Sequence, residues 1–68
     1  MDIRQLDYFI AVAQRGNFTK AADELFLSRQ ALSKAVRNLE HELGHPLLIN
    51  RDNHLELTDE GRALREDA

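Results

Sequence analysis

The chain has 68 residues, nine Lys or Arg against twelve Asp or Glu, a net charge of −3, a pI near 5.5, and neither cysteine nor tryptophan. That length holds at most one domain, near the lower limit for a self-sufficient core, and no disulfide framework or cysteine-based metal site can staple it. No apolar stretch approaches membrane-spanning length, and Met1-Asp2-Ile3-Arg4-Gln5 lacks the apolar run of a secretory leader, so a soluble cytoplasmic domain is expected.

Asp2, with Gln5 three residues on, has the spacing of a capping box. Ile3, Leu6, Phe9, Ile10 and Ala13 then recur at helical intervals, and Gly16-Asn17 supplies a left-handed stop. Thr19 is read as the N-cap of a second, short helix covering roughly 20–26, in which Ala21 and Ala22 let another helix approach closely. Ser28 caps a third helix, with Leu27 and Leu32 spaced as a hydrophobic staple. Leu32, Val36, Leu39 and Leu43 form its apolar stripe, while Arg29, Gln30, Ser33, Lys34 and Arg37 fall together on another arc; Gly44 and Pro46 end it.

Leu47-Leu48-Ile49-Asn50 and Leu55-Glu56-Leu57 read as two short strands joined by the turn-forming Arg51-Asp52-Asn53-His54. Thr58 caps a last helix whose positive N-terminus meets Asp59 and Glu60. That pattern runs on to Ala68 with no Gly or Pro stop, which leads us to expect a helix cut partway along. Tyr8, Phe9, Phe18 and Phe26 are assigned to the core, since their helical or turn spacing does not suit a base-stacking platform on strands.

Two helices joined by a tight turn, the second carrying basic and amide side chains on one outward arc, are the layout that enters the major groove of DNA. The charge supports this only when the chain is divided. Residues 28–51 hold Arg29, Lys34, Arg37 and Arg51 against Glu40 and Glu42 and are the only net-positive stretch; six acids against Arg62 and Arg65 make residues 52–68 strongly negative. Four cations make a thin footprint for phosphate neutralisation, so a lone copy is expected to bind weakly.

A helix–turn–helix followed by a two-stranded ribbon is a winged helix–turn–helix, a mainly α fold with a three-helix core and a β wing. The chain resembles the N-terminal DNA-binding domain of LysR-type transcriptional regulators. The matching residues are Leu6-x-Tyr8-Phe9, Asn17-Phe18-Thr19-x-Ala21-Ala22, Ala31-Leu32-Ser33, Leu39-Glu40-x-Glu42-Leu43-Gly44-x-Pro46-Leu47, Arg51 and Leu57-Thr58-x-x-Gly61, at ungapped spacing. The resemblance implies a bacterial transcription factor that binds as a dimer or tetramer. Residues 1–57 would be the DNA-binding domain and 58–68 the start of a long linker helix that pairs two subunits. A separate domain after the linker would sense a small-molecule effector, and the chain itself needs no cofactor. The chain departs from the family pattern at three places. Arg29-Gln30 stands where the family has Gln-Pro, Leu48 stands where it favours Phe, and Asp52-Asn53-His54 replaces a basic, Gly-rich wing tip.

Chemistry assigns roles within this frame. Arg29 suits guanine O6/N7 and Gln30 suits adenine N6/N7; Ser33 and Lys34 complete the base-reading set. Ser28, Thr19, Arg37 and Arg51 suit phosphate oxygens, and Asn53 and His54 the backbone or adjacent minor groove. The DNA expected is duplex with approximate dyad symmetry. The alternative is a winged-helix protein-interaction module that no longer binds DNA, which the acidic balance favours.

His41-Glu42-Leu43-Gly44-His45 matches the zinc-protease pattern H-E-x-x-H, in which two His on one helical face hold the metal. Gly44 and Pro46 break the helix where that pattern needs it continuous, and Leu43 belongs to the apolar stripe. A chance match is expected, with no metal and no enzyme.

Overall fold

The computed structural model describes residues 2–52 and 54–67. Its elements are α1 (Ile3–Arg15), α2 (Phe18–Leu25), α3 (Arg29–Leu43), β1 (Leu48–Arg51), β2 (His54–Leu57) and α4 (Asp59–Asp67). This is the mainly helical winged helix–turn–helix expected.

Each boundary has a local cause. The capping box at α1 forms: the Asp2 carboxylate accepts the Arg4 N–H at 2.9 Å and the Gln5 side chain accepts the Asp2 N–H at 3.2 Å. Gly16, at φ 66°, ends α1 in the left-handed region that glycine enters without steric cost. The cap of α2 is not Thr19. Asn17 is extended and accepts the Lys20 N–H at 3.0 Å, so α2 starts two residues earlier than the Thr19 assignment placed it, and Thr19 lies inside its first turn. Asn is as strong a cap as Ser or Thr, and capping from position 17 adds two residues to the helix, the first of them half-buried Phe18. Ser28 caps α3 as expected, accepting the Ala31 N–H at 3.0 Å, and Gly44 at φ 75° closes it.

Among the described residues, eight side chains make the core: Phe9 and Val12 of α1, Ala21 and Ala22 of α2, Leu32, Val36 and Leu39 of α3, and Leu47 from the segment that follows. The two alanines bring α2 close to its neighbours, and Leu6, Tyr8, Ile10, Phe18, Leu25 and Leu27 pack around the edge. Arg15 at the end of α1 pairs with Glu24 of α2 on the surface. The hydrogen bond from Arg15 holds the Glu24 carboxyl below its ordinary value, so this brace is complete near neutrality and is lost as pH falls through the lowered value.

Three apolar residues do not follow the sequence pattern. Leu43 lies at the rim of the stripe with 37% of its surface exposed, and Ile3 projects from the first turn of α1. Phe26, assigned to the core from its spacing, is 95% exposed. It is the C-cap of α2 at φ 58°, so the backbone turns left-handed there and carries the ring off the buried face.

The wing is an antiparallel pair of strands, β1 and β2. Leu48 pairs with Leu57, Ile49 with Glu56, Asn50 with Leu55 and Arg51 with His54. Arg51 and His54, expected in the turn, therefore extend the strands, and Asp52 takes the left-handed conformation at φ 50°. Asn53 lies outside the described residues.

The segment ahead of the wing is held from both sides. Glu40 of α3 accepts the N–H of Leu47 at 2.7 Å and of Leu48 at 3.2 Å. Thr58 donates its N–H to the Leu47 carbonyl at 3.0 Å and its hydroxyl to the Pro46 carbonyl at 2.7 Å. The same hydroxyl caps α4 by accepting the Gly61 N–H at 3.0 Å. Gly61 is buried, and a Cβ there would sit 2.2 Å from the Leu47 carbonyl oxygen.

Two stability outcomes follow. Gly61→Ala ordinarily gains up to about 1 kcal/mol of helix propensity. Here the clash with backbone dominates, and thermal unfolding should show a net loss of about 1–3 kcal/mol. Phe26→Gly relieves a left-handed conformation that costs a side-chain-bearing residue about 1–2 kcal/mol and gives up no buried surface. The midpoint should stay level or rise by the equivalent of up to about 1 kcal/mol, after the entropy cost of glycine.

Candidate nucleic-acid interface

The outward arc of α3 and the first strand of the wing enclose an open groove of about 780 Å³. Arg29, Gln30, Ser33, Lys34 and Arg37 line one wall, and Leu48, Ile49, Asn50 and Leu55 the other. The helical period causes this. Leu32, Val36 and Leu39 are fixed in the core, which leaves positions 29, 33, 37, 30 and 34 on an arc that starts beside the buried stripe and runs round to the far side. Arg29, Gln30, Lys34 and Arg37 are exposed and Ser33 is half-buried.

Among the described residues, Arg29, Lys34 and Arg37 have no acidic partner, while the ion pairs present join Arg15 to Glu24, Arg51 to Glu56 and Arg62 to Asp59. The three groove cations are thus available to an outside anion, although the chain as a whole is acidic. The groove's one acid, Glu40, is committed through Oε2 to two backbone N–H donors.

A smaller hollow of about 150 Å³ adjoins the first, lined by Gly16, Asn17, Phe18 and Thr19 together with Arg29, Asn50 and Leu55. Thr19 is therefore exposed at the same surface as Arg29, from inside the first turn of α2 rather than from its cap. Ser28 lines neither hollow; its hydroxyl is occupied by the Ala31 N–H.

The wing residues divide by register. Directly paired residues of an antiparallel ribbon share a face. Leu48, Asn50, Leu55 and Leu57 are on one face, of which the three leucines pack against the core. Arg51, His54 and Glu56 are on the other, where Arg51 reaches Glu56 at 3.8 Å. Arg51 and His54 line neither hollow, whereas Asn50 lines both. Sequence reasoning passed over Asn50 because it read position 50 as the last residue of an apolar run. Pairing with half-buried Leu55 across the hairpin was the signal that could have found it.

The H-E-x-x-H stretch does not stay on one helix. α3 ends at Leu43, and the left-handed Gly44 takes His45 off the face that carries His41. Among the described residues no group of three or more His, Cys, Asp or Glu is placed to hold a metal ion. Nor is any helix among them long and apolar enough to cross a membrane.

Residues 3–62 match the family model described as the bacterial regulatory helix-turn-helix protein, lysR family. The "Probable cat1 operon transcriptional activator" of Acinetobacter lwoffii is 47% identical over all 68 residues, which cover 22% of that protein. The chain thus spans about a fifth of the length of this curated relative. Among solved structures, the complex of BenM_DBD with catB site 1 DNA superimposes with a TM-score of 0.93 at 40% identity, covering 98% of this chain and 75% of that one. A CbnR_DBD–DNA complex gives a TM-score of 0.91 at 43% identity over 98% of this chain and 77% of that one. Fold, motif spacing and relatives agree: the chain belongs to the lysR family of bacterial regulatory helix-turn-helix proteins.

Proposed function

We propose that this chain is the sequence-selective, double-stranded DNA-binding part of a LysR-type transcription regulator, with α3 inserted in the major groove. The observation that carries this is the groove lined by Arg29, Gln30, Ser33, Lys34 and Arg37, whose three cations have no acidic partner among the described residues. The two structural relatives described above were solved with DNA, which supports the same reading.

Within that reading, Arg29 and Gln30 in the first turn of α3 reach base edges, and Ser33 and Lys34 complete the reading surface. Arg37, one turn on from Ser33 and Lys34, holds a phosphate, as does Thr19 beside Arg29. Ser28 contributes by fixing the start of α3, whose first N–H groups face a phosphate oxygen. Arg51 and His54 act on the backbone or minor groove from the outer face of the wing. Residues 1–57 form the DNA-binding domain and 58–68 begin the linker helix. Two copies paired through that linker place their α3 helices on successive turns of one face of the duplex, so the operator has approximate dyad symmetry. Effector control belongs to a further domain of the whole regulator, and the site of action is the cytoplasm, at the nucleoid.

A binding titration across salt concentration tests this reading. Affinity for duplex should fall steeply as salt rises, because each neutralised phosphate releases counterions. No binding to any duplex at low salt would instead support a protein-interaction module. Arg29→Ala should lose about 1–3 kcal/mol on a preferred duplex and relax the preference at one base pair. Arg37→Ala should weaken preferred and random duplexes alike and lower the salt slope by about one. Equal losses by both variants on every duplex would refute this division of roles.

A further inference from the structure

We infer that Glu40, which no base or phosphate should approach, is the positioning residue that sets the wing against the reading helix. This rests on the DNA-binding reading above. A carboxylate on the wall of a cationic, phosphate-seeking groove works against binding by its charge alone. Its contacts account for its presence: Oε2 accepts the Leu47 N–H at 2.7 Å and the Leu48 N–H at 3.2 Å, on the two residues that lead into β1. Leu47 is 1% exposed, so its N–H has no access to water as an alternative partner.

Glu40 stands one turn beyond Arg37 on the same helix and lines the same groove. The bond therefore runs directly from the element that reads bases to the element that flanks them. From the other side, Thr58 holds the carbonyls of Pro46 and Leu47. The wing thus arrives at DNA already ordered, and ordering it on binding would cost affinity on every sequence equally. What Glu40 supplies is an acceptor at a given reach, not a charge.

Two substitutions separate these properties. Glu40→Gln keeps length and acceptor but removes the charge. Glu40→Asp keeps the charge but withdraws the acceptor by one methylene. Both are titrated with a duplex selected by the wild-type chain and with a random duplex, across salt, while amide hydrogen exchange is followed at Leu47 and Leu48. Glu40→Gln should bind within about threefold of wild type and keep both amides protected. Glu40→Asp should lose about tenfold on both duplexes, through the cost of ordering the wing. It should also lower the salt slope, expose the two amides and leave base preference unchanged. Wild-type affinity and slope in a folded Glu40→Asp chain would overturn the inference alone, as would a Glu40→Gln loss equal to that of Glu40→Asp. Failure of the wild-type chain to bind any duplex would overturn the DNA reading, and this inference with it.

Discussion

The three residues Pro46, Leu47 and Leu48 are where the reading helix, the wing and the fourth helix meet. Leu47 is buried in the same core as Leu32 and Leu39, so the segment is seated by apolar packing. Its polar backbone is then consumed: N–H groups by Glu40, carbonyls by Thr58. A buried N–H left without a partner costs about 1–3 kcal/mol, a large fraction of what so small a domain has in hand. Gly61 is the consequence on the far side, because only a residue with no Cβ leaves room for the Leu47 carbonyl. The wing and the fourth helix are thereby fixed to the well-packed reading helix as one surface.

That rigidity is what gives a sparse set of charges its use. The chain has more acids than bases, and a survey of composition alone argues against nucleic acid. The fold resolves the conflict by location. Asp52, Asp59, Glu60 and Glu66 lie outside the groove, Arg15, Arg51 and Arg62 each pair with a carboxylate, and Arg29, Lys34 and Arg37 stand together on one wall with no acidic partner among the described residues. With three cations on that wall, selectivity must come from donor geometry more than from net attraction. The Arg29-Gln30 pair at the start of α3 is where that geometry differs from the family's usual Gln-Pro.

Much of this was legible in the residues. The caps at Asp2, Ser28 and Thr58 and the glycine stops at 16 and 44 announce their helices through side-chain chemistry that acts over three or four residues. The reading arc was legible because the apolar stripe of α3 fixes the rotation of the helix and so the arc that adjoins it. What was illegible depends on competition or on distance. Asn17 and Thr19 are both good caps, and the choice of Asn17 goes with Phe18 packing against the core, which spacing along the chain does not show. Phe26 has the spacing of a core residue, but a left-handed turn overrides spacing. Asn50 became visible once the hairpin register was fixed, and the two bonds of Glu40 span seven and eight residues around a chain reversal that no local pattern encodes.

The central claim is that one face of this molecule, and no other, meets DNA. Titration of the isotopically labelled chain with a short duplex at low salt, followed residue by residue through its backbone amide resonances, tests it most directly. Perturbations should concentrate at Thr19, across Ser28 to Arg37, and along the wing at Asn50, Arg51 and His54. Perturbations confined to the outer surface of α1, to α4, or to the exposed ring of Phe26 would contradict the account.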